Sequence, residues 1–133
     1  MPLQYGTFQA PSPDLHPRTL HVLIVEDNFD QAETLRMFLA DKGHTLEIAR
    51  SGPAALEAAR RKRPDVVLLD LGLPGLDGIE VAKRLRLEHG EAIRIIVITA
   101  YGGESVRQQT EEAGCELHLV KPADPRFIES LLG

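Results

Sequence analysis

Five polar side chains in this sequence could share one piece of chemistry: Glu26, Asp27, Asp70, Thr99 and Lys121. Each follows a short apolar run: residues 20–25 precede the acidic pair, 66–69 Asp70, 93–98 Thr99 and 117–120 Lys121. Singly, each residue reads as a helix cap or a turn former. Together they are three carboxylates, a hydroxyl and an ammonium. Three clustered carboxylates cannot all ionise cheaply without a cation, and hard oxygen donors with room for water suit Mg2+. Such a cation would neutralise the cluster and leave one carboxylate free to attack phosphorus. The ammonium and the hydroxyl could then take the oxygens of an incoming phosphoryl group. Phosphoryl transfer asks mainly for positioning and charge neutralisation, so the parts suit an aspartyl-phosphate site.

The elements that must position these residues can be read in order. The run 20–25, rich in β-branched residues, predicts a strand. Asn28 or Asp27 then caps a helix to about Asp41, with Phe29, Ala32, Leu35 and Leu39 as its buried stripe and Gly43 after its end. Residues 44–49 alternate between apolar and polar and predict an edge strand. Ser51 caps the next helix, Pro53 lies in its first turn, and Ala55, Leu56 and Ala59 form a small-residue face before Pro64. The unbroken run 66–69 reads as a strand buried on both faces, delivering Asp70 at its end. Pro74 and its flanking glycines make an irregular loop, and Asp77 caps a helix from Gly78 to about Glu88. Residues 93–98 give another buried strand. Then come a polar helix over 104–113, whose inner face holds only Val106, Thr110 and Ala113, and a last strand over 117–120. Asp124 and Pro125 open a final helix with Phe127, Ile128, Leu131 and Leu132 facing inward.

Strict β-α alternation with short connections predicts a parallel sheet with helices on both faces. For five strands the doubly wound order 2-1-3-4-5, the flavodoxin-like arrangement, is the economical choice. All strand C-termini then lie on one edge, where such sheets bind ligands.

Composition narrows the function classes. The chain has 133 residues, 43% of them hydrophobic and 26% charged, which suits one ordinary globular domain. A net charge of −5 argues against nucleic acid, because there is no excess of Lys and Arg to neutralise phosphates. The basic run Arg60-Arg61-Lys62-Arg63 instead ends a helix, where it complements the dipole. No apolar run approaches the roughly 18 to 20 residues that span a bilayer, so neither a membrane nor a secretory leader is expected and the cytoplasm is. Cys115, the sole cysteine, can form no internal disulfide and reads as a small apolar filler. Residues 1–18 carry Pro2, Pro11, Pro13 and Pro17 and read as a flexible N-terminal extension, with the folded domain over 19–133.

With these residues in place, the chain resembles the receiver domain of two-component response regulators, of the chemotaxis-receiver type. The matching motifs are Glu26-Asp27 after an apolar strand, the stretch from Asp70 through Gly72, Pro74 and Asp77 to Gly78, Thr99-Ala100, and Lys121-Pro122. The segment around Lys121-Pro122 is also similar to receivers attached to hybrid histidine kinases. The resemblance implies that Asp70 accepts a phosphoryl group from a histidine kinase or a histidine phosphotransfer protein. It implies that Asp27, Asp70 and the Gly72 carbonyl ligate Mg2+, with Glu26 acting through water. Thr99, Ala100 and Lys121 would bind the phosphoryl group and report it, and Lys121-Pro122 would be a cis peptide. The protein would be a phosphoacceptor that assists its own phosphorylation and dephosphorylation rather than an enzyme, and it would signal to an unidentified downstream protein. Gly72 and Tyr101 stand at the two places that flank the attacking water in the family. A glycine that positions no water and a bulky tyrosine predict a long-lived phosphoryl group.

One departure concerns the residue three before the lysine, usually an aromatic that turns inward with the threonine. Here it is His118, which could make the same swing but adds a titratable, hydrogen-bonding ring. Two other classes are weighed against this reading. A Mg2+-dependent phosphatase with an aspartyl nucleophile would need a second Asp two residues after Asp70, where Gly72 stands. A degenerate receiver serving as a protein-binding scaffold is argued against by the full acidic, threonine and lysine set.

Overall fold

The computed structural model describes residues 19–100 and 102–132. The expected extension over 1–18 and the expected role of Tyr101 lie outside the described residues. Strands β1 (His21–Val25), β2 (Thr45–Ala49), β3 (Val66–Leu69), β4 (Arg94–Thr99) and β5 (Leu117–Val120) form one sheet. They alternate with helices α1 (Phe29–Asp41), α2 (Gly52–Arg61), α3 (Gly78–His89), α4 (Glu104–Glu112) and α5 (Pro125–Leu132). All pairings are parallel, in the order β2-β1-β3-β4-β5, as the alternation predicts.

Because side chains alternate across a strand, each central strand feeds two cores. Leu23 and Val25 of β1, Val67 and Leu69 of β3 and Ile95 of β4 pack with Ala55 and Ala59 of α2 and Val81, Ala82 and Leu85 of α3. Val22 and Ile24, Val66 and Leu68, and Ile96 and Ile98 pack on the opposite face with Ala32 and Leu39 of α1 and Ile128 and Leu132 of α5. All of these side chains are at most 8% exposed. The double burial explains why β1, β3 and β4 read as unbroken apolar runs, while the edge strand β2 shows alternation.

Two expected core residues sit elsewhere. Phe29 opens α1 but is 56% exposed, with the Arg50 guanidinium 4.6 Å from its ring centroid. Phe127 in the first turn of α5 is 51% exposed, whereas Ile128 and Leu132 take the inner positions. Both phenylalanines lie in the opening turn of a helix that starts at the sheet edge, where there is less sheet beneath to cover them.

Caps fix the helix starts. The Asn28 carboxamide oxygen accepts from the Gln31 N–H at 2.9 Å, Ser51 Oγ from Ala54 at 3.2 Å, and Asp77 Oδ1 from Ile79 at 3.0 Å. Asp124 Oδ1 does the same for Arg126 at 2.8 Å. Helix α4 is the exception. Its cap is Gly103, at φ 107°, with no side-chain bond, and Thr110 is its one buried residue. Of the basic run after α2, Arg60 pairs with Glu88 of α3 and Arg61 with Glu47 of β2.

Candidate functional site

The parallel register brings the five polar residues to one edge. Val25, Leu69 and Val97 pair across β1, β3 and β4, and Thr99 pairs with Val120 across β4 and β5. Glu26 and Asp70 are therefore the first residues past neighbouring strands, where the Asp70 N–H continues the ladder to the Val25 carbonyl at 3.0 Å. Both side chains are nearly buried, Thr99 is fully buried, and Asp27 is exposed.

Lys121 arrives from β5, directly before a cis peptide to Pro122. Its Nζ donates to Glu26 Oε1 at 2.7 Å, to Asp70 Oδ2 at 2.9 Å and to Gln31 Oε1 at 2.6 Å. The second oxygen of each carboxylate is held by backbone: Asp70 Oδ1 accepts from the Gly72 N–H at 2.9 Å and Glu26 Oε2 from the Asn28 N–H at 3.1 Å. The first residues of the Pro74 loop thus turn an N–H back onto the Asp70 carboxylate. Gly78 lets that loop close against α3, since a Cβ there would lie 2.6 Å from the Leu71 Cα.

The two carboxylates share one ammonium yet shift in opposite directions. Burial pushes Glu26 above the usual glutamate range, and its bonds to Lys121 and the Asn28 N–H do not overcome that. Burial also acts on Asp70, but the Gly72 N–H and Lys121 outweigh it and hold the carboxyl below the ordinary value. Burial alone would lower Lys121. Its bonds to Glu26 and Asp70 raise it instead, so the ammonium stays charged. Of the buried pair, Asp70 is the carboxylate that remains ionised longest on acidification.

The donor set fits a divalent cation. Carboxylate oxygens of Glu26, Asp27 and Asp70 lie within 4.8 Å of one another. Three carboxylates facing one ammonium leave an excess of negative charge made wholly of hard oxygens. An open cavity of about 700 Å3 reaches Asp70 from solvent between α1 and the β5-α5 connection. It is lined by the polar Glu26, Asp70, Gln31 and Lys121 and by the apolar Ile24, Leu68 and Ile98.

His118 does not line this cavity; on β5 its Nδ1 is 3.3 Å from Thr110 Oγ1 of α4. The Thr110 hydroxyl also lies 2.8 Å from the Arg107 carbonyl, which accepts from it. Cys115 is half-buried against the α2-α3 core, and burial pushes its thiol up to about 11. It is a packed filler, as its setting in the sequence suggests.

Gln31 is the site residue that motif reading missed. A signal was available, since Asn28 followed three residues later by Gln31 is a capping-box spacing. In the structure the Asn28 N–H is already taken by Glu26, so the Gln31 side chain reaches Lys121 instead.

A curated relative, sporulation initiation phosphotransferase F of Bacillus subtilis (strain 168), is 39% identical over 103 residues, covering 77% of this chain and 82% of the relative. The polar-differentiation response regulator DivK of Brucella ovis is 36% identical over 118 residues, covering 85% and 94%. Among solved structures, a Burkholderia pseudomallei response regulator with a phosphorylated aspartic acid, calcium ion and citrate superposes with a TM-score of 0.79 at 26% identity, covering 85% of this chain and 66% of that one. The family model described as the response regulator receiver domain matches residues 22–132. This chain belongs to the receiver domains of two-component response regulators.

Proposed function

We propose that Asp70 is the phosphoryl acceptor of this receiver, loaded from the phosphohistidine of a histidine kinase or a histidine phosphotransfer protein. In that step the P–N bond to imidazole breaks as a P–O bond to the Asp70 carboxylate forms, and the imidazole takes up a proton. The observation that carries the reading is Asp70 itself. It is a nearly buried carboxylate kept ionised by the Gly72 N–H and by Lys121 at 2.9 Å, and it lines a cleft open to solvent. Lys121 would bind a phosphoryl oxygen, with the Thr99 hydroxyl and the Ala100 backbone on the facing strand end. Asp27, Asp70 and the Gly72 carbonyl would hold Mg2+, with Glu26 acting through water, and the ion would supply charge neutralisation. The relative named a phosphotransferase is consistent with a place in a relay. Among the described residues no helix is long and apolar enough to cross a membrane, which accords with a cytoplasmic module that signals to a downstream protein.

Readout falls to Thr99, Lys121 and His118. A threonine drawn toward the phosphoryl group would open space beside β5, and His118 would exchange its bond to Thr110 for a position nearer β4. The phosphoryl group is long-lived, because Gly72 offers no side chain to orient water and Tyr101 is bulky. A Gly72→Asn, Tyr101→Glu variant should lose it faster. Loss at the wild-type rate would contradict this.

Incubation with a small acyl phosphate and Mg2+ tests the core of the proposal. The intact chain should gain one phosphoryl mass, labile to hydroxylamine, and chelation of the metal should abolish the gain. An Asp70→Asn chain that is labelled at the wild-type rate would refute it.

A further inference from the structure

Helix α4 is held unevenly along its length. It connects the end of β4 to the start of β5, so its first turn stands at the sheet edge that carries Asp70 and its last turn at the opposite edge. At the first turn the cap Gly103 makes no side-chain bond, residues 104, 105 and 107 are exposed, and Val106 is half-buried. The side-chain contacts of Glu104 with Arg107 and of Gln109 with Ser105 stay within the helix. Toward the other end, Thr110 and Ala113 are buried, at 2% and 4% exposure.

The tie at that end is Arg86, from the last turn of α3. Its Nη1 donates to the Ile93 carbonyl at 2.8 Å and to the Gly90 carbonyl, and its Nη2 donates to the Gly114 carbonyl at 2.7 Å. One planar, permanently charged fork thus joins α3, the connection into β4 and the residue that follows the α4 C-cap. Gly114 suits this contact twice over. Its φ is 92°, and a Cβ on it would lie 3.0 Å from Arg86 Nε and 3.3 Å from Arg86 Cγ. Hydrogen bonds from a charged donor are roughly twice as strong as neutral ones, so the Gly114 end of α4 is the firmly held one.

We propose that Arg86 is the positioning residue about which α4 moves: it fixes the helix at Gly114, and a phosphoryl group on Asp70 makes the first turn swing about that point. The inference rests on the reading that α4 carries the response to Asp70, and it adds where the helix is fixed and by which side chain. At 1.5 Å per residue, Ser105 lies about 13 Å along the helix from Gly114 and Glu112 about 3 Å. A swing about Gly114 therefore moves position 105 about fourfold further than position 112. A sliding of the whole helix would move the two equally.

The test measures distances between spin labels in the full chain, with Cys115→Ala as the cysteine-free background. A label at Ser105→Cys or Glu112→Cys is paired with a reference at Met37→Cys on α1 or Glu57→Cys on α2, all exposed positions, so that two directions are read. When beryllofluoride and Mg2+ are added, distances from 105 should shift about fourfold further than those from 112. Arg86→Met keeps an apolar stem and loses the hydrogen bonds to the three carbonyls. In that variant the distances from 112 should broaden before activation and shift nearly as far as those from 105 after it. Arg86→Lys keeps the charge without the fork and should behave the same way, which secures the test if the methionine variant does not fold. Equal shifts at 105 and 112 in the Arg86 chain, or a 112 end that stays fixed in the Arg86 variants, overturns the inference and leaves the Asp70 reading standing. No shift at either position in a chain that does take up a phosphoryl group refutes readout through α4, and this inference with it.

Discussion

Two carboxylates and one ammonium define the site at the scale of residues, and they divide the labour by environment. Asp70, held down by the Gly72 N–H and Lys121, is ionised at neutral pH, while burial keeps Glu26 closer to protonation. Cys115 shows the same physics away from the site. A thiol pushed up to about 11 by burial is ionised at pH 8 about a hundredfold less than an ordinary cysteine. Alkylation by iodoacetamide at pH 8 should accordingly be about a hundredfold slower in the native chain than in denaturant. Similar rates in the two states would show that the thiol is not held in that setting. Glu26, Asp70, Thr99 and Lys121 could be picked out in the sequence because each ends an apolar run, and a parallel sheet puts such ends together. Gln31 is marked only by its capping-box spacing from Asn28; that its amide reaches Lys121 depends on Glu26 having taken the cap's N–H, and no spacing encodes that.

At the scale of elements, α4 and the loop before α3 are the informative pieces. Helix α4 has no side-chain cap, and its inner face is Thr110 with half-buried Val106 and the following Ala113. Burial of Val106 and Ala113 stabilises it by only about 2–3 kcal/mol at ~25 cal/mol/Å2, so modest new contacts can shift its population. Beryllofluoride should change hydrogen-exchange protection most over residues 100–120 and little in α1. His118→Ala should leave phosphorylation of Asp70 largely intact while removing that response in α4. A uniform change, or none near His118, would contradict the switch. The loop gives a stability prediction. A Cβ at Gly78 would meet the Leu71 Cα at 2.6 Å, a backbone contact that no side-chain rotation relieves. Gly78→Ala should cost about 1–3 kcal/mol in denaturant unfolding and loosen the Gly72 turn onto Asp70, and a neutral result would mean the loop yields freely. Strands were legible to within a residue or so because double burial writes an unbroken apolar run. Helix faces were less so. Phe29 and Phe127 fall on the apolar side of their helices, but each lies in a first turn at the sheet edge, and the sequence does not say where the sheet stops.

For the molecule as a whole, topology does most of the chemistry. Five parallel strands deliver their polar ends to one edge, two layers of helices bury the rest, and a cleft beside α1 opens that edge to solvent. The order 2-1-3-4-5 followed from strict alternation and short connections, since right-handed crossovers leave few other arrangements. The cleft was not legible, because it arises from how α1 and the β5-α5 connection sit over the sheet, a matter of tertiary packing. The proposed function turns on which carboxylate carries the phosphoryl group. Borohydride reduction of the acyl phosphate, followed by peptide sequencing of the phosphorylated chain, reads that residue directly. The account predicts homoserine at position 70 and nowhere else; homoserine at position 27 or another acidic position, with Asp70 intact, would contradict it.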